Sequence, residues 1–322
     1  MLVDVHNHVM PTESLDTLSS DPIYQVQVVD GKWQGAHHVP FDVTPSFYDP
    51  AARLEELDAR GIDGAIVSSP PMMFYYDVPT AAGAALCASA NEGMVHFCER
   101  APDRFRWLAN VPLQDPGLAC EALVEAANAG CVGAGIGTSV AGKRLDEEPF
   151  EEFWATAARL SLPVLVHPAF NEAHSALEKY YLQNVIGNPL ETTILTERLI
   201  CAGVLERHRD LRVILLHGGG FIPYQLGRLR HARTVRPELA GSPEDPFDFL
   251  PQLYFDTITH DDQALAYLVS RVGSSQVLLG TDLPYDMAMQ EPVTTLRRVL
   301  GDELTEVIGS ENPGRLFGFP KA

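Results

Sequence analysis

The chain has 322 residues, 46% of them hydrophobic, which is enough to bury a large core. Lys and Arg total 23 against 43 Asp and Glu, a formal net charge of −20 that disfavours nucleic acid and anionic membrane as general partners. The five cysteines form no C-x-x-C pair, no apolar run reaches the roughly 18 residues of a membrane helix, and the N-terminus lacks a signal-peptide pattern, so a cytoplasmic protein without disulfides is expected, its cysteines small core residues.

In chain order, the first apolar run is "LVDVH" (2–6). Residues 12–47 follow, where Asp30-Gly31 between the alternating runs of "YQVQVVDGKWQ" predicts a small β-hairpin insertion able to shade whatever lies at the end of strand 1. "DPAARLEELDARG" (49–61) reads as a helix: Asp49 caps it, Pro50 takes the first helical position, Leu54 and Leu57 share a face, and Gly61 stops it. Seven more apolar runs alternate with amphipathic stretches: "GAIVSS" (64–69), "RWLANVPL" (106–113), "VGAGIG" (132–137), "PVLVHP" (163–168), "RVILLHG" (212–218), "LYFDT" (253–257) and "QVLLGTD" (276–282). Eight strand and helix units in one chain predict a single α/β domain over 1–322, a (β/α)8 TIM barrel with a small β insertion after strand 1. The chemistry of such a barrel sits at the C-terminal ends of its strands.

That topology gathers residues far apart in sequence. In "VDVHNHVMP" (3–11), His6 and His8 point the same way, because side chains two apart on a strand share a face. His167 ends strand 5, His217 ends strand 6 and Asp282 ends strand 8. One strand-end histidine is usually a packed or solvated residue, but five such residues on one barrel face point to a metal. Three or four imidazole and carboxylate ligands with an open position describe a catalytic zinc-type site, with manganese as the other fitting ion. His217 is the best general acid/base of the five, because Gly218, Gly219 and Gly220 after it let the backbone approach a ligand closely. No G-x-G-x-x-G spacing supports nucleotide binding. His37, His38, His96, His208 and His231 read as surface or helix residues, while His174 and His260 lie near the predicted mouth without a partner to give them a role.

The motifs "DVHNH", "LVHP", "HGGG", "LLGTD" and "ENPGRLFGF", with "DPAARLEELDARGID" (49–63), "PMMF" (71–74), "VPLQDPGLAC" (111–120) and "LGRLRHARTVR" (226–236), resemble the amidohydrolase superfamily. The similarity runs from Val3 to Phe317, within the branch of 2-amino-3-carboxymuconate-6-semialdehyde decarboxylase and related nonoxidative decarboxylases. The resemblance implies that His6, His8, His167 and Asp282 hold one zinc ion, with Asp282 also counted in the catalytic group, and that His217 acts on the water bound to the ion. It further implies that Arg53 contacts the substrate carboxylate and that Arg228 and Arg236 are supplied across a homodimer interface. Without it, each arginine reads as a solvated helix charge. Guanidinium forks would suit a strongly acidic chain that binds a carboxylate.

Lysine occurs only at positions 32, 143, 179 and 321, and the predicted end of strand 4, "VGAGIGTS", offers neither lysine nor carboxylate. A lysine-bridged pair of metals is therefore not expected. The chain departs from the branch after His167, where "PAFNEAHSALEKYYLQN" offers Tyr180 and Tyr181 rather than a tryptophan-rich lid, and after Asp282, where Leu283-Pro284-Tyr285 stands in the expected aromatic wall. The expected activity is metal-dependent nonoxidative decarboxylation of an aromatic or muconate-type carboxylic acid. The alternative is a mononuclear hydrolase or hydratase acting on a lactone, amide or unsaturated acid. A metal-dead barrel serving as a binding subunit is disfavoured by the full set of ligand positions.

Overall fold

The computed structural model describes residues 1–29, 32–35, 41–169 and 175–319. The described strands, in chain order, are β1 (Val3–His8), β2 (Gln27–Val29), β3 (Lys32–Gln34), β4 (Gly64–Ser68), β5 (Phe105–Trp107), β6 (Ala134–Ile136), β7 (Ser139–Val140), β8 (Lys143–Arg144), β9 (Val164–Val166), β10 (Val213–Leu215), β11 (Leu253–Asp256) and β12 (Val277–Leu278). Two parallel ladders, β1-β4-β5 and β12-β11-β10-β9-β6, carry the eight predicted strands. Both seams between the ladders are hydrogen-bonded. Ala109 bridges to Ala134, with Gly135 N donating to Ala109 O at 2.9 Å, and Val5 N donates to Leu279 O at 2.9 Å while His8 N donates to Leu283 O at 2.7 Å. The strands thus close into the expected barrel.

Side-chain alternation divides the core into two layers. Val3, Val5, Ile66, Leu165, Ile214 and Leu278 fill the barrel interior, while Ala65, Val67, Val164, Val166, Val213 and Leu215 face outward against helix residues such as Trp154 and Leu199. The helices on that outer face include α2 (Pro50–Ala59), capped as predicted by Asp49 accepting from Ala51 N at 2.9 Å, and they are otherwise α3 (Thr80–Glu99), α4 (Pro116–Asn128), α5 (Glu151–Arg159), α6 (Asn188–Cys201), α7 (Val204–Arg207), α8 (Ile222–Val235), α9 (Asp262–Val272), α10 (Pro292–Glu306) and α11 (Asn312–Phe317). Before them in sequence stands α1 (Thr12–Ser20), outside the barrel pattern. Among the described residues no helix is long and apolar enough to cross a membrane.

Three local departures from the sequence pattern matter for the site. Strand 1 carries a β-bulge: Asp4 pairs with Ala65 but Asn7 with Val67, one extra residue on β1. The extra residue reverses the alternation, so that below it Val5 faces the interior and above it His6 and His8 do. Strand 3 is shorter than the 106–113 run: the regular strand ends at Trp107, Leu108 N and Ala109 N still donate to Val67 O and Gly133 O at 3.0 and 2.9 Å, and Asn110 N then turns to the side chain Asn91 Oδ1 at 2.8 Å. The segment after β1 is more than a hairpin. β2 and β3 pair antiparallel as expected, although Asp30 and Gly31 of the turn lie outside the described residues, and α1 packs against α3. Met10, Leu18, Tyr24, Trp33, Phe47 and Met72 belong to the separate small core of this cap.

Candidate metal centre

Four imidazoles crowd one point at the C-terminal face of the barrel. The ring centroid of His6 lies 5.2 Å from His8, 5.4 Å from His167 and 5.2 Å from His217, and His8 and His167 are 5.0 Å apart. Asp282 joins them, with Oδ1 3.3 Å from His6 Nε2 and 3.2 Å from His8 Nε2. The ligand atoms of His6, His8, His167 and Asp282 all lie within 4.8 Å of one another. Ligands about 2.1 Å from a tetrahedral ion stand roughly 3.4 Å apart, so small adjustments would bring all four onto one ion.

The hydrogen bonds around the cluster fix which nitrogens face it. His6 Nδ1 meets Asp256 Oδ2 at 2.6 Å and His167 Nδ1 meets the Pro168 carbonyl at 2.7 Å, and each bond requires the proton on Nδ1 and leaves Nε2 for the centre. His6 Nε2, His8 Nε2 and Asp282 Oδ1 are buried and make no hydrogen bond, and His217 Nδ1 is likewise without a partner. Burying lone pairs against one another is costly unless a cation or a proton sits among them. The donor set therefore fits a divalent ion.

The electrostatics agree. Burial holds His8 down to about 4, with His6 and Arg53 adding to the effect and Asp282 opposing it. Burial likewise holds His167 well below the ordinary imidazole range, helped by His8 and His217. Both rings are neutral and keep a lone pair. For His6 burial acts in the same direction, but Asp282 and Asp256 outweigh it and push the ring up to about 10. Without an ion, the proton on His6 supplies the positive charge that the cluster demands. Asp282 is held well below the usual carboxylate range, since His6 and His8 outweigh the cost of its burial. His217, half-buried, is lowered by burial and by His6, so it too is neutral near pH 7.

Backbone geometry aims these groups. Asp282 has a left-handed φ of 66° and donates its N–H to His6 O at 2.7 Å. His217 has φ 55° and leads Gly218, Gly219 and Gly220, all with positive φ. A Cβ on Gly219 would fall 2.3 Å from Phe255 Cδ1, and one on Gly220 would fall 2.3 Å from Pro189 O, so the turn needs both glycines.

The arginine expectations fare differently. Arg53 does not present a fork to a substrate: it is fully buried, and its guanidinium donates to Ser46 O at 3.1 and 2.8 Å, to His8 O at 2.5 Å and to Asn7 Oδ1 at 3.2 Å. Its partners are the backbone that carries His8 and the turn that carries the cap, which makes it a brace beneath the site. Arg228 and Arg236 are exposed at α8 and just after it, and Arg236 pairs with Glu238 of the same chain. Neither joins the cluster within one protomer. His260 is exposed with φ 54°, His96 pairs with Glu13 and His208 with Glu151, while His37, His38 and His174 lie outside the described residues.

One residue of the site, Asp256, went unread in the sequence, and Tyr285 was noted there without its contacts. Asp256, the last residue of β11, accepts the His6 Nδ1–H hydrogen bond described above; an acidic residue ending a barrel strand was the available signal. Tyr285 forms the boundary between cluster and cap, its ring 5.5 Å from His8, 5.4 Å from Phe47 and 6.1 Å from Phe41, with its hydroxyl 3.8 Å from Met72 Sδ. An aromatic wall thus flanks the cluster where the departure after Asp282 was noted. Lys143 is exposed on β8, and Thr138 occupies the end of the β6 segment, so no lysine stands among the four clustered side chains.

A (β/α)8 barrel with three histidines and a carboxylate converging at the C-terminal face defines an enzyme-type metal barrel. The chain belongs to the amidohydrolase family, whose sequence pattern it matches over residues 3–319. It is 27% identical over 335 aligned residues to the 2-amino-3-carboxymuconate-6-semialdehyde decarboxylase of Dictyostelium discoideum, covering 95% of this chain and 91% of that protein. Its fold superposes on the apo crystal structure of Metarhizium anisopliae IDCase with a TM-score of 0.89 at 21% identity, covering 99% of this chain and 97% of that one. It also superposes on 5-carboxyvanillate decarboxylase of Novosphingobium aromaticivorans, complexed with manganese and 4-hydroxy-3-methoxy-5-nitrobenzoic acid, with a TM-score of 0.85 at 19% identity, covering 99% and 96% of the two chains.

Proposed function

We propose that this protein is a metal-dependent nonoxidative decarboxylase of an aromatic or muconate-type carboxylic acid. His6, His8, His167 and Asp282 hold one divalent ion, and His217 handles the proton. The observation that carries the reading is the convergence of His6 Nε2, His8 Nε2 and Asp282 Oδ1, buried and without hydrogen bonds, next to the unpartnered His217 Nδ1. Decarboxylation is supported by the Dictyostelium relative, which is named for that reaction and matches nearly the whole chain. Three nitrogens and one carboxylate suit zinc. Manganese, present in the Novosphingobium structure, is the other ion supported.

When bound, a divalent ion supplies a Lewis acid that holds the substrate's oxygen atoms in place. The chain's own groups do the rest. The bond between the ring or chain carbon and the carboxyl carbon breaks, and its electron pair remains on the carbon that stays behind. That carbon takes a proton relayed by the imidazole of His217, which picks it up from solvent and returns to its neutral form as it passes it on, and carbon dioxide departs; the net uptake is one solvent proton, and the balance needs no oxidant or reductant. Tyr285 beside His8, backed edge-on by Phe41 and Phe47, gives the site an apolar aromatic side, which favours an aromatic acid over a flexible polar chain. In a homodimer, the exposed Arg228, and Arg236 on exchanging its Glu238 partner, would reach a neighbouring site and meet a carboxylate there.

The test is to load the protein with zinc or manganese and measure carbon dioxide release from a panel of hydroxybenzoic, aminobenzoic and muconic acids. Release that stops on chelation and returns with metal supports the reading. A metal-loaded protein that releases none, yet cleaves a lactone or amide or hydrates an unsaturated acid, would establish the alternative hydrolase or hydratase chemistry instead.

A further inference from the structure

Asp256 is fully buried at the end of β11, and its carboxylate is gripped from two sides. Oδ2 accepts the ring Nδ1–H of His6 at 2.6 Å and the backbone N–H of His217 at 2.9 Å. Oδ1 accepts the N–H groups of Gly218 at 2.7 Å and Ile258 at 3.1 Å. One carboxylate therefore touches the ring of a proposed metal ligand on β1 and the backbone of the proposed proton-handling residue after β10, two strands far apart in the sequence.

We propose that Asp256 is a positioning residue that couples the metal group to the proton-handling loop, fixing the His6 tautomer and the His217–Gly218 turn through the same carboxylate. The inference rests on the roles proposed above for His6 and His217. A neutral imidazole carries one proton; held on Nδ1 by Asp256, it leaves the Nε2 lone pair facing His8 and Asp282. The turn has a matching need. His217 through Gly220 have φ of 55°, 65°, 77° and 61°, a run of left-handed backbone in which only His217 carries a side chain. The steric cost falls on His217, since glycine takes positive φ freely, and hydrogen bonds to the run's N–H groups choose this turn among those the glycines allow. Asp256 holds the first two.

The informative variant is Asp256→Asn, of nearly the same shape but with one acceptor oxygen. If that oxygen faces Gly218 and Ile258, the new NH2 group opposes the His217 N–H and can bond His6 only as a donor, which moves the His6 proton to Nε2. In the reverse orientation the NH2 group opposes two backbone N–H donors, a worse conflict. We expect zinc affinity, read by chelator competition, to fall about 10- to 100-fold. Turnover should stay depressed at saturating zinc, because the His217 anchor is lost as well. In the zinc-loaded wild type, nitrogen-15 NMR of the histidines should show a His6 Nδ1–H that is far downfield and slow to exchange, and this signal should vanish in Asp256→Asn. Zinc affinity within threefold of wild type, or full turnover at saturating zinc, would overturn the coupling. If the variant does not fold, the wild-type spectrum decides, since a zinc-loaded protein without that Nδ1–H signal also overturns it. The zinc affinity and the spectrum do not depend on the reaction catalysed, so a failure of the decarboxylase reading is recognised separately.

Discussion

Replacing Arg53 separates a brace from a substrate contact. In Arg53→Ala, the acceptors Ser46 O, His8 O and Asn7 Oδ1 lose their charged donor inside a region closed to water. At about 1–2 kcal/mol for each acceptor left without a partner, the loss sums to about 3–6 kcal/mol, a large part of the usual stability of a domain. The cost falls on β1 and the cap turn together. Urea unfolding followed by tryptophan fluorescence should therefore show a lower midpoint with an unchanged slope. Arg53→Lys should recover little, since one ammonium cannot span three acceptors lying in different directions. A substrate-binding arginine would behave in the opposite way, leaving the unfolding midpoint alone and raising KM. Arg53→Ala with wild-type stability and a raised KM would refute the burial argument.

Other perturbations probe the cluster and its surroundings. Asp282→Ala should lose both metal and turnover, whereas His217→Asn should keep one equivalent of metal by elemental analysis and lose about 10²- to 10⁴-fold in turnover. Metal at about one hundred times its dissociation constant should stabilise the protein by about 2.7 kcal/mol, and chelation should lower the thermal midpoint by several degrees in a reversible way. Glu151 is held down to about 2 by the hydrogen bonds of Arg207 and then His208, against an ordinary value of 4.5. Its stabilising effect is therefore present above pH 4.5 and lost as pH falls toward 2. Glu151→Gln should cost at most about 1 kcal/mol at pH 7, because the pair is partly exposed, and nothing near pH 2, as read from denaturant unfolding at both pH values.

The sequence made some of this architecture readable for identifiable reasons. Val213, Ile214 and Leu215, like the other barrel strands, form a short apolar run buried on both faces, and a chain with eight such runs has few other ways to cover them. His6, His8, His167, His217 and Asp282 stood out because each follows such a run, so the barrel places them together. Asp256 occupies the same kind of position, but its partner His6 lies 250 residues away, and nothing local in "LYFDT" marks the pairing. The β1 bulge is equally silent in sequence, since the extra residue exists only relative to β4. For Arg53 the substrate contact is implied by the resemblance and the bare pattern of its helix reads as a solvated charge, whereas the direction of this one long side chain depends on the cap turn at Ser46. The end of the interstrand pairing beyond β5 has the same kind of cause: Asn91, on another element, captures the Asn110 N–H.

The most direct test of the central claim is to run the metal-loaded enzyme in heavy water and in oxygen-18 water with an accepted acid. The account predicts one carbon dioxide per turnover, one deuterium on the carbon that lost its carboxyl group, and no oxygen-18 in the remaining organic product. Oxygen-18 in that product without carbon dioxide release would contradict it.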